Sequence, residues 1–214
     1  MLRIHQIINF PVRSNCYIVS ESHSDFCIVI DPGTEKNSDL LAFLSANHLK
    51  PTKVILTHEH YDHCAGVNHL LELYEIDLIC SEKTSTGIAC SKLNFSAYKE
   101  HYNIFSINTK ANVANNYTKI PFNDFVIQFL ETPGHSPGSL CIIVDDAIFT
   151  GDTFMGEIKT PLKLPGGNKD EYQKSLTKLK NAIKSGMKVY PGHGEPFLFQ
   201  GFEHFVNSNK REIQ

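Results

Sequence analysis

The chain has 214 residues, 41% of them hydrophobic and 20% charged, which is enough to bury a substantial core. Twenty Lys and Arg against 23 Asp and Glu leave a formal charge of −3, so the basic excess of a nucleic-acid binder is missing. No apolar stretch reaches the length of a membrane-spanning helix, and the first residues alternate like a strand rather than forming a secretory leader.

The chain opens with three strand-like runs at residues 2–10, 15–20 and 26–30, the last closed by the turn Asp31-Pro32-Gly33. Leu40, Leu41, Phe43, Leu44 and Leu49 recur at helical spacing, with Asn37 or Ser38 as the cap and Pro51 as the terminator. A buried strand at 53–56, a helix at 65–74 and a strand at 77–80 follow. Residues 81–121 are polar and Asn-rich, with Phe95, Tyr98, Tyr102 and Phe105 scattered through them. They predict a short helix and a surface excursion, the aromatics pinning the segment to the body of the fold. Strands are predicted at 125–131, 140–144 and 147–150, then a loop at 151–167 and an amphipathic helix at 170–183 carrying Tyr172, Leu176, Leu179 and Ile183. A strand at 187–190 and a helix near 202–207 close the chain. No linker or low-complexity tract interrupts the pattern, which predicts one domain over 1–214.

The six cysteines form no CxxC pair and most lie in apolar runs, the pattern of buried, reduced thiols in a cytoplasmic protein. The 11 histidines are more informative, because several cluster with carboxylates. Thr57-His58-Glu59-His60-Tyr61-Asp62-His63 follows a predicted strand directly and places four metal-capable side chains in one loop. His58 and His60 are two apart, so an extended backbone sends them to one side. The same residue types recur at later strand ends: His135 in Thr-Pro-Gly-His-Ser-Pro-Gly, Asp152 in Thr-Gly-Asp-Thr and His193 in Tyr-Pro-Gly-His-Gly. Alone, His193 reads as a surface or capping residue and Asp152 as a turn residue. Together with the loop histidines they read as a dinuclear metal site. His5, His23, His48, His69, His101 and His204 have no such neighbours and read as structural.

With His135, Asp152 and His193 following the His-x-His-x-Asp-His motif in that order, the sequence resembles the metallo-β-lactamase fold superfamily, most closely its hydroxyacylglutathione hydrolase (glyoxalase II) branch, in the form of a compact single-domain protein. The resemblance implies an α/β fold of α+β type, a four-layer αββα sandwich with the metals in a groove. Position by position it implies that His58, His60 and His135 hold one metal and that Asp62, His63 and His193 hold a second. Asp152 would bridge the two, and Asp31 would steady the ligand loop.

Imidazole and carboxylate donors suit zinc, and also Fe or Mn, so two divalent ions with zinc first are the expected cofactors. Two such ions lower the pKa of a shared water and polarise a carbonyl, with Asp62 and Asp152 as the catalytic carboxylates. The expected activity is hydrolysis of a small-molecule thioester or related ester, with neither nucleic acid nor a membrane as partner; the oligomeric state is left open. The alternatives are a persulfide dioxygenase-like enzyme with one iron and a phosphodiesterase or nuclease of the same superfamily. Two departures weigh against glutathione itself. The chain ends soon after His193, without the glyoxalase II helical domain, and residues 156–163 lack that branch's usual Arg, offering Lys159 and Lys163 instead.

Overall fold

The computed structural model describes residues 1–100 and 103–202. The chain divides into two compact units, Met1–Ala114 and Asn115–Gln214.

The first unit is a six-stranded sheet in the order β1 (Leu2–Asn9), β2 (Ser14–Glu21), β3 (Phe26–Ile30), β4 (Lys50–Ile55), β5 (Asp77–Cys80), β6 (Asn112–Val113). The first three strands form an antiparallel meander, and β3 to β6 are parallel. Parallel neighbours need a crossover, and the helical spacing supplies it. Helix α1 (Ser38–Ala46) joins β3 to β4, α2 (Tyr61–Cys64) and α3 (Val67–Leu73) join β4 to β5, and α4 (Glu82–Ile88) follows β5. Strand alternation then sorts the side chains. Cys16, Ile18, Cys27, Val29, Val54, Leu78 and Cys80 pack with Leu40 and Leu44 of α1, Val67 and Leu70 of α3, and Ile88 of α4. Ile28, Ile30 and Ile55, on the opposite face, are buried as well, so the strands read as unbroken apolar runs.

The second unit is a six-stranded sheet in the order β12 (Phe197–Leu198), β11 (Lys188–Pro191), β10 (Ala147–Gly151), β9 (Leu140–Val144), β8 (Phe125–Glu131), β7 (Lys119–Phe122). All pairings are antiparallel except β10 with β11, which α5 (Lys169–Ala182) connects. Leu179 and Ile183 pack on Leu130, Cys141, Ile148 and Val189. Each unit therefore has the mixed sheet and few helices expected of an αββα sandwich.

Several elements differ from expectation. Pro51 lies inside β4, and α1 ends earlier, at Asn47 and at His48 with φ 54°. The helix expected at 65–74 is present as α3, and an extra short helix, α2, precedes it within the motif loop; the two part at Gly66, whose missing side chain leaves room for the carbonyls of Pro32 and Thr34. The loop expected at 151–167 is present, tied by a Met155–Ile158 bridge. Strands β6, β7 and β12 have no counterpart among the strands expected from the sequence. The predicted terminal helix and Tyr102 lie largely or wholly outside the described residues, while Phe105 packs on the first core and Tyr98 is exposed. Among the described residues, no helix is long and apolar enough to cross a membrane.

Candidate metal centre

Both units present their metal-type side chains at the carboxyl ends of strands, where backbone groups run out of ladder partners and irregular loops begin. In the first unit Asp31 follows β3, and His58, His60, Asp62 and His63 follow β4. In the second, His135 follows β8, Asp152 follows β10 and His193 follows β11.

The first set is buried: His58, His60, Asp62 and His63 are all under 8% exposed. The His58 ring lies edge-on to His60 at 4.6 Å and tilted against His63 at 4.2 Å. Phe95 tilts against His60 at 4.8 Å. Three buried imidazoles in contact would repel one another if protonated, and neutral rings are the form that binds a cation.

Hydrogen bonding fixes which nitrogen is presented. Asp31 accepts from the Thr57 backbone N–H (2.8 Å) and from the Thr57 hydroxyl (2.6 Å). Because the Thr57 hydroxyl proton is directed to Asp31, its oxygen can only accept from His58 Nδ1, 3.0 Å away. His63 Nδ1 donates to the same Asp31 carboxylate at 3.0 Å. In the second unit His135 Nδ1 lies 3.0 Å from the Pro161 carbonyl, which has no proton to give. Each ring therefore carries its proton on Nδ1 and offers the Nε2 lone pair, the arrangement that orients and strengthens imidazole ligands. Asp31 lies within 4.8 Å of His58 and His63, yet its oxygens are already engaged; it positions the ligands rather than acting as one.

Two further contacts fit a cation. In the first unit Asp62 Oδ2 stands 3.7 Å from His63 Nε2. In the second, Asp152 Oδ2 stands 3.5 Å from His135 Nε2 and 3.6 Å from His193 Nε2. These separations are long for charge-assisted hydrogen bonds, but ligands about 2.0–2.1 Å from a tetrahedral zinc stand roughly 3.3–3.4 Å apart. One carboxylate oxygen thus stands at ligand-to-ligand distance from two imidazoles. The donor set fits divalent metal.

Other residues, none of them assigned to the site by the sequence pattern, brace these loops. Ser14 donates to the Asp62 carbonyl and accepts from Asn9, which also donates to the Asp31 carbonyl and accepts from Asn37, the α1 cap. Gly33 permits the crossing, since a Cβ there would sit 1.6 Å from the Asp62 carbonyl oxygen. Glu59, also buried, receives Thr84 of α4 at 3.4 Å. Asn94 offers its carbonyl to the Tyr61 N–H and so ties the irregular segment to α2. In the second unit Thr160 donates to the Asp152 carbonyl at 2.9 Å, and Ser175 of α5 to the Pro133 carbonyl at 2.6 Å. Thr57 adjoins the motif and was traceable from it; the others depend on contacts distant in sequence.

Comparison with known proteins agrees with this geometry. The family model described as the metallo-β-lactamase superfamily matches residues 9–193. A probable polyketide biosynthesis zinc-dependent hydrolase of Bacillus subtilis is 30% identical over 178 residues, covering 83% of this chain and 72% of the relative. A hydroxyacylglutathione hydrolase of Shewanella halifaxensis is 28% identical, covering 95% and 71%. The crystal structure of the BLEG-1 B3 metallo-β-lactamase superposes with a TM-score of 0.84 at 23% identity, covering 92% and 94%. On the fold, the ligand loops and the match over most of its length, the chain belongs to the metallo-β-lactamase superfamily of metal-dependent hydrolases.

Proposed function

We propose that the protein is a dinuclear metallohydrolase cleaving a small-molecule thioester or related ester. The observation that carries this reading is Asp152 Oδ2, placed 3.5 and 3.6 Å from the Nε2 atoms of two histidines. In this proposal His58, His60 and His135 would hold one ion and Asp62, His63 and His193 the other, with Asp152 supplying a further carboxylate donor. When bound, such ions lower the pKa of water towards neutrality and draw charge from a carbonyl oxygen. Zinc suits the nitrogen-rich donors and is named for the Bacillus subtilis relative.

The chain's own residues supply the rest. Asp31, Thr57 and Pro161 hold the imidazoles as neutral Nδ1–H tautomers. Asp62, braced through its carbonyl by Ser14, takes the proton of the attacking water on its carboxylate. The water oxygen bonds to the carbonyl carbon, the carbon–sulfur bond breaks, the thiolate takes the proton held by Asp62, and the new carboxyl group releases the remaining water proton to solvent. The products are a carboxylate and a thiol.

Metal analysis of the purified protein, followed by a panel of thioester, lactone and phosphodiester substrates, tests the reading. Two ions per chain with thioester turnover are expected, and Asp152→Ala loses metal and activity together. An Asp152→Ala variant with both metals and full turnover would overturn it. One iron with oxygen uptake would point to the dioxygenase alternative; the paired Asp62 and His63 donors favour two metals.

A further inference from the structure

Residues that follow Asp152 and His193 in the chain form, within the second unit, a pocket of about 520 Å³, within the range of small-ligand sites. Three segments build it: the tight turn after Asp152, the residues following His193, and β12. Met155, Ile158, Phe197 and Leu198 give it an apolar wall. Ile158 and Leu198 are 46% and 60% exposed, so the wall is open to a ligand from solvent. Two glycines, at φ 65° and 83°, let the walls of the pocket pack closely. A Cβ at Gly194 would come 2.8 Å from Ile158 Cδ1, and one at Gly156 would come 3.0 Å from the Phe197 ring. His193 is the most open of these ligands, its side chain 21% exposed, and Gly194 and Glu195 lead from it into the pocket.

The charge on the rim is one-sided. Among the described residues lining the pocket, the ionisable side chains are Glu157 and Glu195, both exposed carboxylates. Lys159 lines the adjoining cavity, which shares Met155, Gly156, Glu157 and Ile158 with this pocket and continues to Tyr172 and Leu176. An anionic group such as the carboxylates of glutathione would meet like charge here.

Resting on the hydrolase reading above, we propose that this pocket selects thioesters with an uncharged, medium-length aliphatic acyl chain and rejects acyl chains ending in a carboxylate. The chain lies against Ile158, Phe197 and Leu198, and its far end passes Glu157 and Glu195. Each methylene fully withdrawn from water supports roughly a fourfold gain in kcat/KM.

The test uses the metal-loaded protein with acetyl, hexanoyl and adipoyl thioesters of N-acetylcysteamine. Hexanoyl is expected to exceed acetyl at least about tenfold in kcat/KM, and adipoyl to fall well below hexanoyl. Sodium chloride at about 1 M, which screens exposed charges, and the double variant Glu157→Gln, Glu195→Gln should each raise adipoyl turnover several-fold. Leu198→Asp should bring the hexanoyl-to-acetyl ratio towards one. Hydrolysis that ignores chain length, prefers adipoyl, or keeps its ratio in Leu198→Asp overturns the pocket assignment and leaves the hydrolase reading standing. If no thioester is cleaved, the hydrolase reading fails, and ligand-detected NMR with the uncleavable S-hexyl thioether of N-acetylcysteamine decides the pocket. Binding by the parent protein that Leu198→Asp abolishes supports it; absence of binding overturns it.

Discussion

A metal-binding imidazole is only as well placed as the group that holds its other nitrogen. Thr57 shows how much can depend on one hydroxyl, since it gives its proton to Asp31 and receives one from His58. Thr57→Val keeps the volume but removes both bonds, so His58 can turn and Asp31 loses a donor. Metal affinity should fall about 10–100-fold, read by competition with a chromophoric chelator; unchanged affinity would show that ring packing alone orients His58. Ser14 acts on the backbone instead. Its hydroxyl satisfies the buried carbonyl of Asp62, so Ser14→Ala should destabilise the fold by about 1–3 kcal/mol, measured by urea unfolding. A loss below a few tenths would mean that the carbonyl finds another donor.

At the level of elements, the loop bearing His135 leans on α5. The Asn168 N–H donates to the Gly134 carbonyl, Lys178 to the Glu131 carbonyl, and Ser175 to the Pro133 carbonyl. Gly134 has φ 141°, and a Cβ there would come 2.4 Å from the Tyr172 Cα. Gly134→Ala should therefore push loop and helix apart, lowering stability by more than about 1 kcal/mol in urea and weakening metal retention. Full stability would show that the loop can yield. The element order explains what could be read from sequence. Strands β3, β5, β8 and β9 have the bounds that their apolar runs predict, because burial fixes both their length and their ends. Local rules failed where a distant contact decides. Pro51 is tolerated in β4 where the register with β3 shifts between Cys27 and Ile28, opposite Pro51 and Lys53. The two-residue strands β6 and β12 carry too little pattern to be seen. The ligand loops were legible because His, Asp and Gly at strand ends are rare in combination; their braces were not, because Ser14 and Asn9 are ordinary polar residues until the chain folds.

Over the whole molecule, five of the six thiols are buried and carry a consequence for stability. Burial pushes Cys27, Cys80 and Cys141 up to about 12 from an ordinary value near 9, with Glu59 adding to the effect at Cys80. In the unfolded chain these groups ionise from about pH 9, whereas in the native protein they stay protonated. Above that point the native state holds more protons than the unfolded one, so stability falls as pH rises. Below pH 8 neither state is ionised at these thiols and their contribution is constant. Between about pH 9 and pH 12 each thiol removes about 1.4 kcal/mol per pH unit once its unfolded form is fully ionised, so the three together remove about 4. Tyr61, raised to about 12 by burial and by Asp62, steepens the loss near the top of that range. Urea midpoints measured from pH 7 to pH 11 should stay level on this account until near pH 9 and then drop sharply. Cys90 is the contrast: the backbone N–H groups of Leu93 and Lys92 lower its pKa, so it should be the thiol that a maleimide labels first in the native protein. A urea midpoint that holds steady past pH 11, or equal labelling of several native cysteines, would mean that solvent reaches the thiols of both sheets.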